Sequence, residues 1–137
     1  GSLSGCNLSG ANLTGANLTQ TDLSKANLTG AKLNEVNLSR SNLAGAKLTG
    51  ADLIGTDLID KNLSRVDFSN ANLSKANLKG ANLTGAILTG ANLTGADLSN
   101  ANLTEADLID AIIRNTRTDG ALFCRTKTSW GNMNLGC

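Results

Sequence analysis

The sequence predicts an all-β solenoid, a chain whose short extended segments stack on one another as successive coils. Two observations lead to this fold class. A leucine recurs at every fifth residue, as in "ANLTGANLTQTDLSKANLTG" at residues 11–30, and the same pattern runs from residue 1 to residue 125 of the 137 residues. A pattern of this extent leaves no room for a second domain.

The five-residue spacing fits neither a regular helix nor a straight strand. A helix turns by about 100° per residue, so successive leucines would point in different directions. A strand alternates its faces, so an odd step would send successive leucines to opposite sides of a sheet. Within one pentad, however, Ala11 and Leu13 can share one face of a short extended segment. If the following residues turn a corner, the chain closes into a coil.

The positions of the pentad differ in composition. Stepping by five from Leu3 to residue 123 gives 25 centres, of which 21 are Leu, and the other four are Phe68, Ile113, Thr118 and Phe123. Ala occupies 16 of the 25 positions that lie two residues before a centre, and Asn or Asp occupies 18 of the 25 positions immediately before it. The Ala and Leu positions are therefore predicted to face inward.

The pentads "ANLTG", "ADLSN" and "ANLSK" resemble the consensus A-(D/N)-L-x-x of the pentapeptide-repeat proteins. The resemblance implies a right-handed quadrilateral β-helix with four pentads in each coil, whereas the spacing alone would also permit three sides. Residues 1–125 would then form about six coils, roughly 30 Å of rod at the usual strand spacing. Residues 126–137 are predicted to form a short C-terminal capping tail.

In a four-sided coil, residues 20 apart lie on top of one another and form columns. One column of centres and the two aromatic centres make up the set of predicted core residues. Its members are Leu13, Leu33, Leu53, Leu73, Leu93, Phe68 and Phe123. Burying one leucine contributes roughly 1.5–3 kcal/mol, while ordering one residue costs about 1–2 kcal/mol. Many coils must therefore stabilise the fold together.

Lys61 is the atypical residue among the inward positions. It follows Thr21 and Ser41 in a column that continues with Ala81. An ammonium group in a narrow apolar core is costly unless it is paired or reaches water. Two interpretations follow: Lys61 marks a local bulge or extends its side chain to the surface near Asp60, or Lys61 contacts an anion or a partner.

Three isoleucines interrupt a polar surface. Ile87, Ile109 and Ile112 fall on neighbouring sides of the last two predicted coils. The tail "TKTSWGNMNLGC" contains Trp130, and we expect it to pack over these isoleucines or over the end of the rod. A partner-binding patch is the alternative.

The ending "FCRTKTSWGNMNLGC" resembles the C-terminal ending of pentapeptide-repeat proteins from cyanobacteria and the chloroplast lumen. The resemblance implies a disulfide between Cys124 and Cys137. Such a bond favours an oxidising compartment, the thylakoid lumen or the periplasm. Two free thiols in a cytoplasmic protein are the alternative.

The composition favours a non-catalytic structural or binding scaffold. The chain has no His and no Tyr, and its 12 basic and 11 acidic residues leave a net charge of +1. No Cys or His cluster has metal-ligand spacing, and no nucleophile is accompanied by a base, so we predict no catalytic, metal or cofactor-binding residue. The resemblance offers one alternative, a DNA-mimic inhibitor of DNA gyrase, but such proteins depend on a strongly negative surface.

The expected partner is a protein of unknown identity, and neither nucleic acid nor a membrane. No run approaches the roughly 18 apolar residues of a membrane span. The chain begins inside the repeat, so that Leu8 and Leu13 in the first coil lack a cap. Open ends of stacked strands associate readily. We therefore expect either that a capping segment was removed or that two copies pair through the first coil.

Overall fold

Each pentad forms one side of a coil in the computed structural model, which describes residues 1–137. Parallel bridges connect residues 20 apart, from Ser2 and Asp22 at the beginning to Asp107 and Lys127 at the end. On each side the backbone hydrogen bonds resemble those of a very short parallel strand, as where the Leu23 N–H donates to the Asn42 carbonyl at 2.8 Å. We call these inter-coil hydrogen bonds the ladder. A register of 20 residues corresponds to four pentads per coil, so the three-sided alternative is excluded.

The corners are tight turns with one residue in the left-handed backbone region. The N–H of the next pentad closes 24 of the 25 turns, as where Ala16 donates to the Leu13 carbonyl at 2.8 Å. The last residue of all 25 pentads has a φ between 53° and 70°, and glycine occupies twelve of these positions. This region favours glycine. At Gly80 a Cβ would also come too close to Asp60 Oδ1, so the Asp60 carboxylate would have to move.

The Asn and Asp side chains before the centres hold the turns in place. At all 18 of these positions, Oδ1 accepts a hydrogen bond from the N–H two residues later, as where Ser24 donates to Asp22 at 3.0 Å. Such side-chain hydrogen bonds stabilise turns locally. The preference for Asn and Asp therefore has a structural cause in the backbone.

The core consists of the stacked Ala and Leu positions. Leu33, Leu53, Leu73 and Leu93 are fully buried, as is Phe68. Phe123 is also buried, near the C-terminal end. Partly buried leucines of the first coil pack against this core, and these are Leu3, Leu8, Leu13 and Leu18. The pairing of two copies through the first coil stays a prediction.

The tail forms an antiparallel hairpin of two strands, β1 (Thr126–Thr128) and β2 (Gly131–Met133). The first strand continues the ladder, because the Lys127 N–H donates to the Ala106 carbonyl at 2.9 Å. The structure has no helix of the length and hydrophobicity that a membrane crossing requires.

Candidate functional site

The ladder is interrupted at one place, between residues 35–43 and residues 54–62. Two bridges are missing from an otherwise continuous series, those between Asn37 and Asp57 and between Asn42 and Asn62. Six backbone N–H groups there have no acceptor in the protein, and they belong to Glu35, Leu38, Arg40, Leu43, Asp57 and Asn62. Buried or half-buried main-chain groups are normally paired. We call the space between these two segments the Lys61 cleft.

Lys61 accounts for this opening. Its Nζ donates to the carbonyls of Leu38 and Ser41, the latter at 3.2 Å. In the regular ladder the Ser41 carbonyl would accept from the Asn62 N–H, so the ammonium group replaces a main-chain donor. The long side chain reaches the preceding coil from a position that alanine occupies in the coils above, at Ala81 and Ala101.

The predicted path of Lys61 to the surface near Asp60 is not found. The side chain is half-buried and points toward backbone carbonyls of the preceding coil. These carbonyls compensate for the hydration that the ammonium group loses. Burial lowers the pKa of Lys61 below its ordinary value, and the negative charge of Asp57 opposes this effect.

The Lys61 cleft has a volume of about 500 Å³ and opens to solvent. Its walls include two acidic residues, Glu35 and Asp57, and two basic residues, Arg40 and Lys61. The charges on the cleft are therefore balanced. Sequence reasoning singled out Lys61, but it did not predict the cleft, because the spacing of the pentads continues unchanged through residues 35–62.

Replacement of Lys61 by alanine is expected to raise the free energy of unfolding by about 1–2 kcal/mol. The ladder bonds can then form again, each worth about 0.5–1.5 kcal/mol net, while the two hydrogen bonds and the packing of the lysine stem are lost. Denaturant titration measures the difference. Lys79→Ala, at an exposed lysine, is the matched control and should leave stability unchanged. A loss of more than about 2 kcal/mol would instead show that the ammonium group holds a required buried network.

Three aspartates have pKa values below the ordinary value for the same local reason. The hydroxyl and the N–H of Ser24 lower the pKa of Asp22. Ser99 does the same for Asp97. At Asp67 burial raises the pKa, but hydrogen bonds led by those of Ser69 outweigh it. These carboxylates belong to the turns, and no group of three or more His, Cys, Asp or Glu side chains is placed to hold a metal ion.

Stability is expected to fall in acid because of these aspartates. A carboxylate with a lower pKa in the folded state stabilises the fold above its unfolded pKa, and the contribution disappears as the pH falls through the folded pKa. The free energy of unfolding should therefore decrease below about pH 4. Asp97→Asn keeps the Oδ1 acceptor without the charge, so its stability should decrease less steeply. Denaturant titrations between pH 7 and pH 2 would contradict this if both proteins gave the same slope.

Cys124 and Cys137 are joined by a disulfide, and Cys6 is a free, exposed cysteine. The tail is held to the last coil by two further contacts. The Phe123 N–H donates to the carbonyl of Leu135 at 2.8 Å, and the Arg125 N–H donates to the side chain of Asn134 at 2.8 Å. The disulfide therefore closes a loop that backbone contacts also hold.

The tail does not cover the three isoleucines, which corrects one predicted arrangement. Ile87, Ile109 and Ile112 remain 41%, 36% and 49% exposed, and Trp130 is 72% exposed. The tail packs on the end of the rod instead, where Met133 contacts the core. The reason is that β1 follows the ladder onto the end of the last coil rather than folding back along the outer faces.

The tail covers only part of the end of the rod. Ile113 and Thr118 hold inward centres of the last coil but remain exposed. Together with Phe123, Trp130 and Leu135 they line a mostly apolar cavity of about 250 Å³. The sequence pattern marked Ile113 and Thr118 as core residues, and it gave no signal for their exposure.

The family described as "Pentapeptide repeats (8 copies)" matches residues 2–40, 21–60, 62–100 and 86–123 of the chain. These stretches together include almost all of the repeat. No curated protein sequence matches the chain.

Several solved structures are similar to the chain. HetL, a pentapeptide repeat protein involved in heterocyst differentiation regulation from the cyanobacterium Nostoc sp. strain PCC 7120, is 34% identical, with a TM-score of 0.76 over 88% of this chain and 65% of HetL. The chain thus spans just under two thirds of HetL. QnrB1, a plasmid-mediated fluoroquinolone resistance protein, is 18% identical, with a TM-score of 0.53 over 85% of this chain and 76% of QnrB1, a likeness of fold alone. A pentapeptide repeat protein from the Arabidopsis thaliana thylakoid lumen is 30% identical over 89% of this chain and 64% of that chain, with a TM-score of 0.30.

Proposed function

This chain belongs to the pentapeptide-repeat family, and we propose that it is a non-catalytic scaffold, a right-handed β-helix of about six coils that binds a protein partner. The position of its exposed apolar side chains supports this proposal. Seven of the nine large exposed ones lie between residues 87 and 135, and they are Ile87, Ile109, Ile112, Ile113, Leu122, Trp130 and Leu135. We call them the C-terminal apolar surface. Among them, Ile87, Ile109 and Ile112 lie on neighbouring sides of the last two coils, and neighbouring exposed apolar residues are typical of protein contacts.

The surroundings of these residues also suit a protein contact. Asp107 and Asp110 lie beside Ile109 in the sequence, and Arg114 follows Ile113. An apolar centre with a polar and charged rim is the usual anatomy of a protein interface. HetL is involved in heterocyst differentiation regulation, and contact with another protein is one way in which a protein takes part in regulation. We therefore extend a binding role, but no particular partner, to this chain.

We propose that the protein works in an oxidising compartment, the thylakoid lumen or the periplasm. The disulfide between Cys124 and Cys137 supports this location, because disulfides persist mainly in such compartments. A cytoplasmic location is the alternative, and it would require these two thiols to be reduced in the cell.

The binding role can be tested by affinity enrichment from a lumen or periplasm extract of the source organism. A variant with Ile87→Asp and Ile112→Asp should lose a protein that the wild type retains. The matched control is Ile54→Asp, since Ile54 is 42% exposed, lies outside the C-terminal apolar surface and is not among the residues that line the Lys61 cleft. Equal loss with both variants, or no protein lost with either, would contradict the proposed surface.

The alternative function, inhibition of DNA gyrase by DNA mimicry, has the fold of QnrB1 in its favour. The net charge of +1 argues against it, because a duplex mimic needs a strongly negative surface. A supercoiling assay with purified gyrase separates the two functions. We expect no inhibition with the protein in excess over the enzyme, and inhibition would favour the DNA mimic.

A further inference from the structure

We propose that the Lys61 cleft binds a short extended peptide segment, which pairs as an additional strand with the two open edges of the ladder. The cleft lies between residues 35–43 and residues 54–62, away in sequence from the C-terminal apolar surface. The inference therefore does not depend on the protein partner proposed above, and it concerns a second binding site.

The two edges of the cleft carry complementary sets of unpaired backbone groups. The lower edge, formed by residues 35–43, has the N–H groups of Leu38 and Arg40 and the carbonyl of Val36, and none of these makes a ladder bond. The upper edge, formed by residues 54–62, has the N–H and carbonyl of Asp57 and the carbonyl of Ile59, which are also unpaired. In every regular side these sets pair with each other. Both edges thus keep the pattern of a parallel strand without a neighbour.

A peptide strand is the ligand that fits both edges at once. The central residue of an inserted segment can donate to the Val36 carbonyl and accept from the Leu38 N–H. Its two neighbours can accept from the N–H and donate to the carbonyl of Asp57. Three residues therefore satisfy four main-chain groups, as one side of an extra coil would. Strand addition to open sheet edges is an established mode of peptide recognition.

The charges of the cleft argue against a simple ion as the ligand. Glu35 and Asp57 balance Arg40 and Lys61, so the walls favour neither an anion nor a cation. The spare binding capacity lies in main-chain donors and acceptors, which an uncharged peptide backbone matches. Backbone pairing is largely independent of side chains, but Lys61 fills the space behind the cleft, so residues that face inward should be small.

The structure around the cleft can accommodate a strand. The volume of about 500 Å³ is already open to solvent. An inserted strand needs the two edges roughly 9–10 Å apart, twice the usual spacing. The ladder remains intact on the neighbouring sides, where Leu33 donates to the Asp52 carbonyl at 2.8 Å and Leu48 donates to the Asp67 carbonyl at 2.7 Å. These sides hold the rod together while the edges separate.

The experiment is a titration of the ¹⁵N-labelled protein with the blocked peptide acetyl-Ala-Thr-Ala-Thr-Ala-amide, followed by NMR. We expect saturable shifts at the amides of Leu38, Arg40 and Asp57, with slower hydrogen exchange at the same amides. In the free protein these amides should exchange faster than those of Leu33 and Leu48. Protected amides in the free protein, or no saturable shift up to about 10 mM peptide, would overturn the proposal.

Two controls identify the site and the mode of binding. A peptide N-methylated at its central residue lacks one donor and should bind roughly three- to tenfold more weakly. Lys61→Ala, in which the cleft closes, should lose the shifts, while Lys79→Ala should keep them. Equal affinity for the methylated peptide, or unchanged shifts in Lys61→Ala, would also overturn the proposal. Ile112→Asp should bind the peptide like the wild type. A negative peptide titration would therefore overturn the cleft proposal without contradicting the binding role proposed for the C-terminal apolar surface.

Discussion

Replacement of Phe68 by alanine is expected to lower the free energy of unfolding by about 3–5 kcal/mol. Phe68 is fully buried, and its ring occupies a centre that leucine holds in the coils above and below, at Leu48 and Leu88. The ladder keeps these coils at a constant spacing, because the Phe68 N–H donates to the Ile87 carbonyl at 2.7 Å. The cavity left by the ring therefore cannot collapse. Denaturant titration gives the difference.

The matched control at this position is Phe68→Leu. Leucine occupies 21 of the 25 centres, so this variant restores the common residue of the repeat and should cost less than about 1.5 kcal/mol. If Phe68→Ala and Phe68→Leu destabilise the protein equally, the ring does not fill the core as the structure places it.

Serine at both Cys124 and Cys137 is expected to lower the free energy of unfolding by about 3 kcal/mol. The disulfide joins residues separated by 13 in the sequence, and a loop of this length has about that effect in the chain-entropy estimate. Without the bond, the contacts of Phe123 and Arg125 with the tail must hold the hairpin alone. Denaturant titration without reductant compares the variant with the wild type.

Cys6→Ser is the control for this prediction, because Cys6 is exposed and free, and it should leave stability unchanged. Intact-mass measurement after alkylation should find one reactive thiol in the oxidised wild type and three after reduction. Three reactive thiols in protein purified under oxidising conditions would contradict the disulfide. That result would also remove the support for an oxidising compartment.

The inward positions of the coil could be predicted because they depend on local periodicity. Leu33 and Leu53 are buried where the five-residue spacing placed them, and the family that the pentads resembled is the family that matches. The role of the residue before the centre was open to the same reasoning but was missed. Asn and Asp there bind the backbone two residues later, as Asp22 does with Ser24, and that preference for turns is local chemistry.

Periodicity along the chain was thus sufficient for the coil, its family and most of its core positions, with Ile113 and Thr118 as exposed exceptions. The stacking of coils determined the rest. The register of 20 residues, the Lys61 cleft and the exposure of Ile113 at the end of the rod all depend on groups that are distant in sequence. The ammonium group of Lys61 competes with the Asn62 N–H for the Ser41 carbonyl. A repeat pattern describes each position separately, so it cannot predict this competition. The position of the hairpin also depends on the stacking of coils. Its first strand pairs with backbone groups of the last coil that would otherwise be unpaired, and this pairing takes precedence over the covering of apolar side chains.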